Sequence, residues 1–293
     1  YFHENQLTYP DRYAGERDLH FALTNFTTCL AADQVWFNSE YHRSVFLKAV
    51  REWLEGMPDF VPVAQLQSVE AKSQVQSPGI DVQGLRRTAR SGPLRIAWAA
   101  RWEHDKNPAT FFEALRILKE RRLPFRLTVC GEQFREVPEE FTQARAEFAD
   151  HIDHWGYLPS RRDYLKRLRE ADVFVSTAVH EFFGLAVLES IALGLVPLLP
   201  DRLSYPELLG RDRETDARAF LYDGSAADLA ERLDRLAQDP DFTRNDSQHR
   251  SLQDTANRYA WPLRAQVMDD ALRELDRINH REHREHGGRN ESH

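Results

Sequence analysis

From Leu94 onward the chain alternates short apolar runs with amphipathic stretches, and no other feature narrows the possible folds as much. LRIAWAA (94–100) is apolar throughout, as a strand covered on both faces must be. FRLTVCG (125–131), IDHWGYL (152–158), VFVST (173–177), VPLLP (196–200) and FLY (220–222) are the later strand candidates. Helical spacing fills the gaps. One helix starts at Asn107-Pro108, an N-cap followed by proline at the first helical position. Others cover 139–150, a segment capped by Ser160, 183–194 ended by Gly194, and 226–238, with more helix to about residue 279. Alternation repeated this often predicts an α/β fold with a doubly wound parallel sheet. In such sheets ligands bind beyond the carboxyl ends of the strands.

Residues 1–90 follow the same style less completely. HFALTNFTTCLAAD (20–33) and EYHRSVFLKAVREWL (40–54) have helical spacing around a strand at 34–39. Residues 56–93 are rich in Pro, Gln, Ser and Gly and read as loop and interdomain linker, with PGID (78–81) in it. Tyr1-Phe2-His3 has no initiator Met and reads as the end of a strand, so the expectation is an N-terminally truncated domain. The expected division is an incomplete N-terminal α/β domain plus linker over 1–90, a C-terminal domain over 91–279, and a disordered polar tail over 280–293.

Three strand ends then share one rim. The first carries Arg101-Trp102-Glu103-His104-Asp105-Lys106, the second Gly131-Glu132, and the third Ala178-Val179-His180-Glu181 before the helix near Phe183. Arg101 and Lys106 stand where an anion meets a helix N-terminus, and a diphosphate suits an Arg fork beside a Lys point charge. On spacing alone, ordinary pairing with Glu103 and Asp105 is favoured. Glu181 and Glu189 bracket an apolar run, HEFFGLAVLES, that needs no carboxylate for its packing. Two carboxylates can each accept from a pair of vicinal hydroxyls, as an acidic residue does with ribose in dinucleotide folds. Gly184 at the helix start lets a ligand approach the backbone.

Other classes fall away. A net charge of −8 excludes a polyanion-binding surface over the whole chain and leaves only local basic faces. Arg86, Arg87, Arg90 and Arg95 form one such group, and Arg161, Arg162, Lys166, Arg167 and Arg169 another; an ordinary solvated helix face explains the second equally well. Cys29 and Cys130 lie far apart without metal-ligand spacing and fit buried free thiols. His3, His104, His151, His154 and His180 lack a zinc pattern, so no metal site is expected. No apolar run reaches the roughly 18 residues a membrane span needs. Neither a dinucleotide fingerprint nor a P-loop is present.

The same residues carry a resemblance. Glu181-Phe-Phe-Gly184 with Glu189 resembles the E-x7-E motif of retaining GT-B glycosyltransferases, Arg101 and Lys106 their diphosphate pair, and PGID their linker edge. YFHENQLTYP, CLAADQVWFNS, RWEHDKNPATFF, HWGYLPSRRDY, STAVHEFFGLAVLE and YPELL are together similar to the tRNA-queuosine α-mannosyltransferase family. The resemblance implies a GT-B fold and transfer of mannose from GDP-mannose to the cyclopentenediol of queuosine in tRNA, with retention. It implies a cytoplasmic enzyme that needs no cofactor or metal, with a nucleotide-sugar donor and a tRNA acceptor as partners. It assigns the diphosphate to Arg101 and Lys106, sugar hydroxyls to Glu181 and the ribose to Glu189. Gly131, Gly184 and the backbone around Phe183 and Leu185 would lie against the donor. His3 would reach the sugar across the cleft. A glycan or lipid acceptor, or a silent nucleotide-sugar-binding module, stays open as an alternative, and so does the oligomeric state.

Overall fold

The computed structural model describes residues 1–10, 19–58, 62–82, 92–133, 137–210, 217–239 and 246–287. Two parallel sheets and two apolar cores divide the chain. The N-terminal part runs α1 (Leu19–Ala31), β1 (Val35–Phe37), α2 (Glu40–Glu55), α3 (Val63–Ala71) and β2 (Ser73–Val75). Strands β1 and β2 pair in parallel, and Phe2 bridges to Phe37 on the other side of β1. Phe37, Phe46, Val50, Leu54 and Val69 fill the core between sheet and helices.

The C-terminal part begins with β3 (Leu94–Ala99), α4 (Pro108–Glu120), β4 (Phe125–Cys130), α5 (Glu139–Glu147), β5 (Ile152–Gly156) and α6 (Arg161–Leu168). It continues with β6 (Val173–Val175), α7 (Leu185–Leu193), β7 (Val196–Pro200), α8 (Tyr205–Leu208), β8 (Leu221–Tyr222) and α9 (Ala226–Gln238). Helices α10 (Asp246–Arg258) and α11 (Trp261–Gly287) close the chain. The six strands pair in parallel in the order β5-β4-β3-β6-β7-β8. Strand β3 enters at the centre, the chain winds out to β5, and then it returns to the other side of β3 with β6. The C-terminal ends of β3 and β6 therefore flank the point where the winding reverses, and there a doubly wound sheet leaves a crevice. Ile96, Trp98, Leu127, Val129, Phe174 and Leu198 supply the strands' share of the core, buried on both faces as the apolar runs require.

Three expectations need correction. Residues 56–93 are not all linker, because α3 and β2 lie within them. Helix α3 buries only Leu66 and Val69 and β2 has three residues, so neither leaves a periodic signal above its polar composition. The tail expected over 280–293 is helical as far as Gly287, where α11 ends. Arg, Glu and His continue a helix readily, and the first strong breaker after 280 is the Gly287-Gly288 pair. Residues 288–293 and the linker arginines Arg86, Arg87 and Arg90 lie outside the described residues. Asn107 stands at the N-cap of α4 but makes no side-chain cap; it is left-handed at φ 48°, and its amide donates to Thr110 Oγ1 at 2.8 Å. Asn tolerates that backbone region better than most residues.

Several contacts join the two parts. The Glu207 carboxylate, on α8, accepts from the Glu40 and Tyr41 N–H groups at 2.9 Å each, and so caps α2 from the opposite part. The Ser39 hydroxyl accepts from His42 N–H at 3.0 Å and donates to the Phe182 carbonyl at 2.5 Å. At the linker, Ile80 N–H donates to Tyr259 O, Trp261 N–H donates to Ile80 O, and Arg264 Nε donates to Ser77 O. Removing the Glu207 carboxylate leaves two N–H groups of α2 without their charged acceptor. Glu207→Ala is expected to lower stability by about 1 kcal/mol, the usual worth of a helix cap. Urea unfolding would show it, and a change within about 0.5 kcal/mol would reduce Glu207 to an ordinary surface side chain.

Candidate active site

Lys106 organises the crevice. A 3₁₀ turn at His104–Lys106 follows β3 and turns the lysine inward, leaving it 8 % exposed. Its ammonium lies 3.1 Å from Asp105 Oδ2 and 3.6 Å from Glu181 Oε2, and it donates to His180 O at 2.8 Å. Asp105 is fully buried at 0 % exposed, so the lysine is its charge partner in a place where an unpaired carboxylate would be very costly. The backbone ties the same two loops together. Val179 N–H donates to Asp105 O at 2.8 Å, the Thr177 hydroxyl to Lys106 O at 2.8 Å, and the Trp98 indole to Thr177 Oγ1 at 3.2 Å. Both pairings favoured by spacing are present, since Arg101 also meets Glu103 at 3.4 Å. For Lys106, however, the pairing is buried at the reversal of the sheet and not on the surface.

Glu181 is half-buried and accepts from Phe183 N–H at 3.3 Å as well as facing Lys106. Gly184 follows at φ 103°, a conformation that favours glycine, and a Cβ there would stand 3.3 Å from the Tyr205 ring. Tyr205 is buried beneath and shares a 2.7 Å hydrogen bond with Ser176. A small cavity here is lined by Lys106, Ser176, Glu181, Gly184 and Tyr205. It shares Ala99, Ala100 and Ala186 with a second cavity of about 370 Å³, which Gly131, Glu132, Tyr157, Arg161 and Tyr164 also line. Glu189 is buried on α7, 7 % exposed. Arg161, which lines that second cavity, donates from Nη1 to Glu189 Oε1 at 2.7 Å. Burial, then Glu189, hold the Tyr164 hydroxyl well above its ordinary pKa, so it is a donor at neutral pH.

The remaining expected residues are placed less uniformly. Gly131 lines the larger cavity, but its need for glycine is internal: a Cβ would stand 1.8 Å from Ala100 O. Leu185 is 45 % exposed in the first turn of α7. The Phe183 ring is buried in the core against Tyr259, and its N–H, expected to face a ligand, is already taken by Glu181. His3 is exposed; its ring lies 4.7 Å from Tyr1, and its carbonyl accepts from Asn38. From that N-terminal segment it is Tyr9 whose ring meets His180, edge-on at 4.8 Å. His180 also packs against Phe182 at 4.5 Å, and Phe182 stacks on His42 at 3.8 Å and 14°.

Sequence reasoning passed over Tyr9, His42 and Phe182, took Asp105 only as an ordinary surface partner, and counted Arg161 only as part of a charged helix. The signal available for Phe182 was its place beside Phe183: two adjacent aromatics cannot both face the core of one helix start. Among the described residues no group of three or more His, Cys, Asp or Glu could hold a metal, and no helix is long and apolar enough to cross a membrane. Both cysteines are buried and free.

Comparison with known proteins decides the family. Residues 86–254, more than half of the chain, match the family described as glycosyl transferases group 1. The chain belongs to that family. Residues 1–80 of this group 1 glycosyl transferase match the family described as tRNA-queuosine alpha-mannosyltransferase N-terminal. A tRNA-queuosine alpha-mannosyltransferase of Drosophila melanogaster is 37 % identical over 72 % of this chain and 59 % of its own length. A GDP-mannose:cellobiosyl-diphosphopolyprenol alpha-mannosyltransferase of Xanthomonas campestris is 24 % identical over 63 % of this chain and 44 % of its own. The chain thus spans less than two thirds of either relative.

Among solved structures, sucrose-phosphate synthase from Thermosynechococcus elongatus superposes with a TM-score of 0.70 at 15 % identity, covering 93 % of this chain and 66 % of that one. Anabaena Alr3699/HepE in complex with UDP and glucose gives 0.64 at 17 %, covering 86 % and 67 %. At such identities they speak for the fold, which is GT-B.

Burial, then the Lys106 charge, lower the pKa of His180 to about 4, and burial, then His180, lower that of His42 to about 3. Both folded values lie below the unfolded value near 6.5, so the unfolded chain binds more protons as pH falls. Stability is therefore full above about pH 6.5 and is lost as pH falls toward 4 and then 3. His180→Asn should flatten the pH dependence of the melting temperature between pH 6.5 and 4. A slope equal to that of the unaltered protein would show that His180 is not titrating there.

Proposed function

We propose that this chain is a retaining glycosyltransferase that moves mannose from GDP-mannose to the cyclopentenediol of queuosine in tRNA. The observation that carries the reading is the Lys106–Glu181 pair at the reversal of the sheet, beside a cavity lined by Arg161, the partner of a second carboxylate, Glu189. The match of residues 1–80 and the Drosophila relative support the tRNA acceptor. That GDP-mannose appears in the name of the Xanthomonas relative supports the donor.

In this reading the diphosphate lies over the start of α7. Lys106 and the exposed Arg101 fork neutralise it, and the charge that grows on the leaving group is met by positive groups already in place. The helix N-terminus adds its dipole and free N–H groups. Glu181 accepts from hydroxyls of the transferred sugar. Glu189 accepts from the ribose, with the base in the cavity of about 370 Å³. Gly131, Gly184 and Leu185 shape the floor under the donor, while Phe183 holds it through the turn it shares with Glu181. His3 stays with the acceptor side. No protein nucleophile is assigned, and the diphosphate is met by side-chain cations, with no cofactor or metal ion. The site would work in the cytoplasm, where tRNA is available.

A specific observation favours one other reading: the Xanthomonas relative is named for a diphosphopolyprenol acceptor. With GDP-mannose and queuosine-containing tRNA, the protein is expected to yield a mannosylated nucleoside, read by mass spectrometry. Product with a lipid-linked or free glycan and none with that tRNA would overturn the acceptor. Glu181→Ala and Lys106→Ala should each lower turnover at least about tenfold, or ~1.4 kcal/mol in the barrier. Unchanged rates in both would remove their roles.

A further inference from the structure

Helix α6 and its C-cap, Arg169, carry five basic residues within nine positions, in a chain of net charge −8. The structure divides them. Arg161 points to the donor side, bound to Glu189 and to the Asp81 carbonyl, and Arg167 is paired with Glu170 at 2.8 Å. Arg162, Lys166 and Arg169 lie four and then three positions apart, so a helix sets them on one face. Arg162 and Lys166 are exposed and Arg169 partly so. Among the described residues no carboxylate lies within 4.0 Å of any of the three, whereas Arg43, Arg116, Arg126, Arg232 and Arg273 all have one. An acidic protein that leaves three adjacent cations on one short helix without counter-charges has a local positive face where a polyanion can dock.

Its position suits one polyanion in particular. Residue Arg161 lines the larger cavity, so the stripe begins at the donor crevice and runs down about two turns, or roughly 10 Å, of α6. We propose that Arg162, Lys166 and Arg169 form a docking track for the phosphate backbone of an RNA whose reacting nucleotide enters the crevice. The track rests on the RNA-acceptor reading above and extends it to a surface. Lys and Arg on one helix face contact phosphates without reading sequence, so the track positions the RNA and leaves selection of the nucleotide to the crevice.

The test is binding of an anticodon stem-loop RNA to this chain at several salt concentrations, without donor. Binding should weaken with salt. Joint replacement Arg162→Gln, Lys166→Gln and Arg169→Gln should weaken it at least about tenfold and lower the slope of log affinity against log salt by about 2. GDP affinity, read by calorimetry, should stay as it was, which separates loss of the track from loss of the fold. Equal RNA affinity and slope in the variant would overturn the proposal, as would no RNA binding by the unaltered chain. So would binding through these residues to anionic phospholipid vesicles and not to RNA. A failure of the mannosyl-transfer assay with RNA binding intact would count against the proposed reaction and leave the track standing.

Discussion

The site depends on a lysine that is not allowed to stay in water. Lys106 emerges from the end of the central strand, and the 3₁₀ turn and the left-handed Asn107 bring its ammonium inward. There it neutralises Asp105, which is fully buried, and takes the His180 carbonyl as a fixed acceptor. Burying two charges is tolerable only with close pairing and further hydrogen bonds. The ammonium gains one such bond, to the His180 carbonyl, while Val179 N–H and the Thr177 hydroxyl hold the backbone carbonyls of Asp105 and Lys106 from the strand on the other side of the reversal. One ion pair therefore sets the spacing of the two loops that form the crevice and places Glu181 beside a cation.

The same loop fastens the two parts of the molecule. Phe182 and Phe183 are neighbours in sequence with opposite duties. Phe183 enters the C-terminal core against Tyr259, while Phe182 stacks on His42 of α2 and offers its carbonyl to Ser39. Glu207 completes the junction by capping the helix that Ser39 begins. The segment between Lys106's partner Glu181 and the glycine of the helix start is thus a structural joint, and the Lys106 side of the crevice and the contact between the parts share one backbone turn. Any ligand that presses on Gly184 presses on a residue two places from that joint.

What the sequence made legible follows from the range of each interaction. Strands β3, β4, β6 and β7 show as apolar runs because both faces are covered, and α9 because its apolar stripe is strong. The rim followed from strand order, and with it the neighbourhood of Arg101, Lys106 and Glu181. Short elements left too few periods, which is why α3 and β2 were hidden in a polar stretch. Contacts far apart in sequence left no period at all. Ser39 meets Phe182 across 143 positions, and Tyr9 meets His180 across the junction, so local spacing does not report either one. Arg161 was visible as a charge and invisible as the partner of Glu189.

That last pairing changes how the two glutamates are understood. A carboxylate offers about four lone-pair sites. Glu189 gives one oxygen to Arg161, and Glu181 divides itself between Lys106 and the Phe183 N–H. Each is therefore held in direction by a cation while keeping further acceptor capacity. A hydrogen-bond acceptor for hydroxyls needs a constant aim, and both glutamates are held in place by a cation. Glu181 stands before α7 at the small cavity and Glu189 within α7, and under the proposed reaction that separation suits two diols on one extended ligand.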